Sequence, residues 1–307
     1  MKVLDRTGEQ YKIIKHERHY ADNLTIVGVE PYLKCGFRCF YCITDSQGKT
    51  QPIEPSLEQF QQRFLAELEN FSDDRFLFGI SLATDSYNDI EEKWGYTRWV
   101  IDELTRRNRR IYITTKSPLI TRDIDLFKRV SPERCKLIIS FTASTSELAR
   151  LAEPQAPPPE DRLKALHTLH DAGLNACVLL APWIPEISDT DRLLSLFPKG
   201  INVFFQPIEL GDDFEEVLDQ QRTQFSAALF MGKQWTQNEI NRAYIHECNT
   251  VGKKYWKDFA MEWRHPITLA THADNSGYLK RMRPGRFDPD QWVQEHWITP
   301  KIPAASL

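Results

Sequence analysis

Three cysteines carry the clearest chemistry in this sequence. They stand in Glu30-Pro31-Tyr32-Leu33-Lys34-Cys35-Gly36-Phe37-Arg38-Cys39-Phe40-Tyr41-Cys42, a C-x3-C-x2-C pattern, in a chain with six Cys in all. Thiolates bind soft metals and iron–sulfur clusters. The competing readings each meet an obstacle. A structural zinc site takes four ligands in paired spacing, and the sequence holds no second C-x2-C and no H-x3-H. Disulfides are disfavoured in a reducing compartment. Three inert thiols would not normally be packed into one loop. Because each thiolate usually takes one iron, three ligands on a 4Fe–4S cluster leave one iron open to a further group. Cys135, Cys177 and Cys248 are scattered too widely to build a second cluster module.

Elements must hold such a loop. Short apolar runs predict strands over Leu24–Val29, Phe76–Leu82, Arg110–Thr115, Lys136–Phe141, Asn175–Ala181 and Ile201–Gln206. Amphipathic spacing predicts helices over Ser56–Asn70, Trp94–Arg107, Thr121–Val130, Glu160–Ala172 and Thr190–Phe197. This alternation is that of a parallel α/β sheet buried on both faces, so a run such as Lys136-Leu137-Ile138-Ile139 need not alternate cleanly. In such folds the loops after the C-terminal ends of the strands build the site. The cysteine loop follows the first of these strands. After Gln206 the pattern changes to helices, roughly Asp213–Phe230 and Gln237–Trp256, and a tail containing Trp263, Trp292 and Trp297. Three segments are expected: an N-terminal extension over 1–23, the α/β body over 24–207, and a C-terminal extension over 208–307 that closes the substrate site.

Composition narrows the function. The chain has 307 residues, 41% hydrophobic and 27% charged, which excludes intrinsic disorder. Its longest apolar run, Ala176 to Ile184 around Val178-Leu179-Leu180, is nine residues, too short to span a membrane. The start, Met1-Lys2-Val3-Leu4-Asp5-Arg6, lacks the apolar core of a signal peptide, so a cytoplasmic location is expected. With 39 Lys and Arg against 43 Asp and Glu, the net charge is −4. Tight nucleic-acid binders usually carry a basic surplus, which counts against a DNA enzyme.

The cysteine motif, with Tyr41 before its last Cys, closely resembles the signature of the radical S-adenosylmethionine (SAM) superfamily. Thr84-Asp85-Ser86-Tyr87, Ile90-Glu91-Glu92-Lys93 and Thr97-Arg98 resemble the branch that contains spore photoproduct lyase. So do Thr114-Thr115-Lys116-Ser117-Pro118-Leu119, Arg122-Asp123-Ile124-Asp125, Ser140, Glu153-Pro154 and Ala181-Pro182-Trp183-Ile184-Pro185. The likeness covers about residues 24 to 190. It departs at Glu30 and Lys34, where the branch has Asn and Gly, and at Ile43-Thr44-Asp45-Ser46, where it has Tyr-Ala-Arg.

The resemblance implies a partial (β/α)6 TIM-type barrel with a helical, aromatic-rich C-terminal extension. It implies a 4Fe–4S cluster on Cys35, Cys39 and Cys42 whose open iron chelates SAM. Thr84 and Asp85 match the place that meets the SAM amino group, and an ammonium does need acceptors. Lys116 matches a lysine near the SAM carboxylate, Ser140 the ribose position and Ala181 the adenine-facing strand end. Read without the resemblance, Asp85 closes a turn, Lys116 is a solvated charge, and Ser140 and Ala181 are small packing residues. The activity implied is reductive cleavage of SAM to a 5′-deoxyadenosyl radical that abstracts hydrogen from substrate. Electrons would come from a reductant such as flavodoxin or ferredoxin. Cys248 is either a packed thiol or the hydrogen-atom donor that quenches a product radical.

Three substrate readings stay open. The first is a ribosomally made peptide undergoing carbon–carbon bond cleavage or rearrangement, as in the tyramine-excising spliceases, which would require a small peptide-binding partner protein. The second is repair of thymine lesions in DNA. The third is a non-enzymatic iron–sulfur regulator or electron carrier, which would have no use for the cofactor positions at Thr84-Asp85 and Lys116.

Overall fold

The computed structural model describes residues 12–19, 25–42, 56–208, 235, 237–255 and 257–263. Its strands are β1 (Ile14–His19), β2 (Thr25–Val29), β3 (Phe76–Ile80), β4 (Arg110–Thr115), β5 (Cys135–Phe141), β6 (Ala176–Trp183), β7 (Asn202–Pro207) and β8 (Ala260–Trp263). Its helices are α1 (Leu57–Leu68), α2 (Glu91–Trp94), α3 (Tyr96–Arg106), α4 (Ile124–Phe127), α5 (Ser146–Ala152), α6 (Pro159–Asp171), α7 (Thr190–Leu196) and α8 (Gln237–Tyr255). The strands follow one another across the sheet in sequence order. β1 pairs antiparallel with β2, and the pairs from β2 to β5 and from β6 to β8 are parallel. This is the α/β, partial (β/α)6 barrel architecture.

All six expected strands are present. β5 is buried at nearly every position, whereas β4 and β7 alternate. β1 and β8 are additions. The polar run Ile14-Lys15-His16-Glu17-Arg18-His19 carries no strand pattern, and β8 is only four residues long.

Helix boundaries moved where local chemistry intervened. α1 starts at a capping box, in which Ser56 Oγ accepts from the Gln59 N–H and Gln59 Oε1 accepts from the Ser56 N–H (3.3 Å each). The helix expected over Trp94–Arg107 is α3, and the additional α2 before it ends at Gly95, at φ +68°, a left-handed conformation that L side chains adopt reluctantly. The one expected over Thr121–Val130 is shortened to α4, which a 3-10 turn over Pro118–Asp123 precedes. α5 is a further addition. The helix expected over Asp213–Phe230 lies outside the described residues, as do Ile43-Thr44-Asp45-Ser46, Trp256, Trp292 and Trp297.

The described residues divide into two compact units: those up to 139 with those of 153–176, and those of 140–152 with those from 177 to 263. The first unit packs Val27, Val29, Phe78, Ile80, Ile113 and Leu137 of its strands in a core with the apolar faces of α1, α3 and α6. An aromatic column runs through it, Phe60 on Tyr96 (4.2 Å between centroids) and Tyr96 on Tyr32 (5.6 Å). The second unit buries Val178, Leu180, Val203, Phe205 and Tyr244. Cys177 is fully buried there, as its apolar setting implies.

Candidate active site

The cysteine loop grows out of the C-terminal end of β2, and its stem is fixed before the first cysteine. Tyr32 is wholly buried, stacked on Tyr96, and donates to Glu91 Oε2 at 2.5 Å. Glu30, where the branch has Asn, accepts from the N–H groups of Ala83 (2.7 Å) and Thr84 (3.2 Å) and from the Thr84 hydroxyl (2.8 Å). Asn88 Nδ2 donates to the carbonyls of Lys34 and Asp85. The loop after β3 is thus tied to the cysteine loop on both sides.

Within the loop, Arg38 takes a left-handed φ of +49°, and the Cys42 N–H closes a turn onto the Cys39 carbonyl at 3.0 Å. A side chain at Gly36 would press on Asp89 Oδ1 at 3.1 Å.

The three thiols are half-buried and coupled electrostatically. Burial raises Cys35, opposed by backbone hydrogen bonds from Asp85 and Phe37. Burial pushes Cys39 up to about 12, opposed by the charge of Lys116. Among the described residues no three His, Cys, Asp or Glu side chains gather tightly enough to hold a single metal ion. Three thiols on one short loop are the donor set a cluster takes, one thiolate to each of three irons. Backbone N–H groups directed at a cysteine sulfur are the outer contacts that stabilise thiolate ligands. The residues fit a cluster.

The expected cofactor residues of the first unit converge on this loop. Asp85 accepts from Tyr87 N–H (3.0 Å), Thr115 Oγ1 (2.7 Å) and Lys116 N–H (2.7 Å), and burial raises its pKa against those bonds. Thr84 is buried, its hydroxyl shared between Glu30 and the Tyr32 carbonyl (2.9 Å), so what it can offer a cofactor is its backbone carbonyl. The Lys116 ammonium lies 5.5 Å from the centre of the Tyr41 ring and 3.9 Å from Glu153 Oε1. Burial pulls the Lys116 pKa down, but Glu153 and Cys39 outweigh it and the pKa is raised.

In the second unit, Ser140 Oγ donates to the Ala181 carbonyl at 3.1 Å, and the Ala181–Pro182 peptide is cis. Cys248 is half-buried on α8, hydrogen-bonded to Tyr244 one turn earlier, and burial raises its pKa well above the ordinary thiol value.

The model of the radical SAM superfamily matches residues 9–196. The chain belongs to the radical SAM superfamily. It therefore uses a 4Fe–4S cluster and SAM. An uncharacterised protein of Methanocaldococcus jannaschii is 29% identical over 179 residues, 57% of this chain and 66% of that one. The chain thus spans less than two thirds of the length of this relative. Spore photoproduct lyase complexed with dinucleoside spore photoproduct superposes with a TM-score of 0.52 at 15% identity, over 73% of this chain and 71% of that one. Streptococcus suis SuiB bound to precursor peptide SuiA gives 0.52 at 10% identity, over 85% of this chain and 54% of SuiB. At those identities the two structures share a fold with this radical SAM chain.

Some residues of this radical SAM site gave no sequence signal of their role. Glu30 and Tyr32 read as motif positions, and Glu153 only as part of a likeness. Arg162, on the polar-rich sequence of α6, is 1% exposed and pairs with Glu153 at 2.5 Å. A charged residue on the apolar face of an otherwise amphipathic helix was the available clue.

Glu30 supports one prediction. Burial, the largest influence, raises its pKa from the ordinary 4.5 to about 6 despite the hydrogen bonds that favour the charged form. With a raised folded pKa, its contribution to stability is fully present below 4.5 and is lost as the pH climbs through 6. The shift corresponds to about 2 kcal/mol. Glu30→Gln removes the titration, so its stability relative to wild type should rise by roughly that amount between pH 4 and pH 7 in urea titrations. A difference that does not change with pH would refute it.

Proposed function

We propose that this radical SAM enzyme is of lyase type and acts on a ribosomally made peptide, cleaving or rearranging a carbon–carbon bond after abstracting a hydrogen atom. The observation that carries the catalytic half is the convergence of the cysteine loop, Asp85 and Lys116 in one compact unit. When bound, the cluster and SAM supply a 5′-deoxyadenosyl radical. The protein's part is to hold and orient. Cys35, Cys39 and Cys42 provide the thiolates. Asp85 spends three of its roughly four acceptor sites on the protein, and the remaining one, with the Thr84 carbonyl, suits the SAM amino group. Lys116 suits the SAM carboxylate by charge. In the second unit Ser140 and Ala181 suit the ribose and adenine, and Cys248, hydrogen-bonded to Tyr244, suits return of a hydrogen atom to a product radical.

A net charge of −4 disfavours a phosphate track. The fold is shared with SuiB, whose structure holds a precursor peptide. A small peptide-binding partner and a flavodoxin or ferredoxin reductant complete the proposal, with the cytoplasm as the reducing setting its free thiols require. Among the described residues no helix is long and apolar enough to cross a membrane.

The test is anaerobic. Reconstituted protein with dithionite and SAM should release 5′-deoxyadenosine, and mass spectrometry should find a candidate precursor peptide altered when its binding partner is added. In parallel, duplex DNA should bind weakly at physiological salt. Nanomolar DNA affinity that falls steeply with added salt would overturn the peptide reading and favour repair of thymine lesions.

A further inference from the structure

Glu153 and Arg162 form a buried ion pair beside the cysteine loop, 0% and 1% exposed. Such pairs contribute little net stability, since desolvation of both charges offsets their attraction. The geometry shows what else this one does. Glu153 Oε2 takes Arg162 Nη2, and Arg162 is fixed further by its Nε donating to the Pro157 carbonyl at 2.7 Å. The other oxygen, Oε1, takes the hydroxyl of Tyr41, the residue before Cys42, and faces Lys116 Nζ at 3.9 Å. The same segment is pinned to the cysteine loop through its backbone, where the Gln155 N–H donates to the Phe37 carbonyl at 3.2 Å. Around it the charges balance, Arg162 and Lys116 against Glu153 and Asp85, whose Oδ2 accepts from the Lys116 N–H at 2.7 Å. Lys116 stands at the outer edge of ion-pair contact, oriented by Glu153 and by the Tyr41 ring but not consumed. Its ammonium has three donors, enough to engage a second anion.

We propose that Glu153 is a positioning residue for the carboxylate of SAM, acting through Lys116 and Tyr41. This rests on the reading of Lys116 as the carboxylate partner. The test uses the full chain, anaerobically reconstituted, and titrates two ligands by calorimetry. One is SAM. The other is 5′-methylthioadenosine, which keeps the adenosine but lacks the amino acid. Glu153→Gln should weaken SAM binding roughly tenfold, as loss of a charge-assisted arrangement does, while methylthioadenosine binds as it does to wild type. Tyr41→Phe removes one hydrogen bond to Glu153 Oε1 but leaves the Arg162 contact to Oε2 in place, and should give the same split at about threefold. It decides the matter if Glu153→Gln fails to fold. Equal weakening of both ligands, or unchanged SAM affinity in the variants that fold, overturns the proposal. If Lys116→Ala leaves SAM binding intact, the pocket reading itself fails, and this inference with it.

Discussion

Replacing Cys35, Cys39 and Cys42 together by alanine is expected to remove all of the iron from the protein. Anaerobically purified wild type should be brown and carry about four irons per chain, the content of one 4Fe–4S cluster. The loop has no other soft ligand to offer, and Cys135 and Cys177 are sealed in the core. Loss of iron should not be a by-product of unfolding. The stem is held by Tyr32 on Tyr96 and Glu91 and by Glu30 on the Ala83–Thr84 backbone, none of which involves a thiol. Iron analysis beside far-ultraviolet circular dichroism separates the two. Zinc in place of iron, or iron retained by the triple variant, would remove the basis of the cluster assignment.

The second large effect is on stability. Arg162→Met should destabilise the protein by about 3–5 kcal/mol, because it leaves the carboxylate of Glu153 buried without its closest cation. Lys116 cannot take over fully from 3.9 Å. If the cost is that of an unpaired buried charge, replacing both members by apolar residues, Glu153→Leu with Arg162→Met, should recover most of it. Urea titrations of the three proteins at neutral pH measure this. A single variant as stable as wild type, or a double variant no better than the single, would show that the pair is not electrostatically isolated from solvent.

What was legible in the sequence followed from local rules. C-x3-C-x2-C is a contiguous pattern, so ligand type and spacing could be read without a fold. β2, β3, β5 and β6 were legible because a sheet buried on both faces demands continuous apolar runs, and β4 and β7 by alternation. α6 was legible from Pro159 at its start and Gly173 behind it. Local rules failed where a neighbour far along the chain decided the outcome. β1 is polar and exists because β2 offers it an edge to pair with. The helix expected over Thr121–Val130 starts only at Ile124, after a 3-10 turn whose Asp123 is buried against Tyr87 and Arg98, from 36 and 25 residues away. The inner network of the site was invisible for the same reason. Tyr41, Lys116, Glu153 and Arg162 are spread over more than a hundred residues, and each alone is an ordinary polar side chain. Only folding removes them from water, and in a medium that solvates charge poorly they must then find one another.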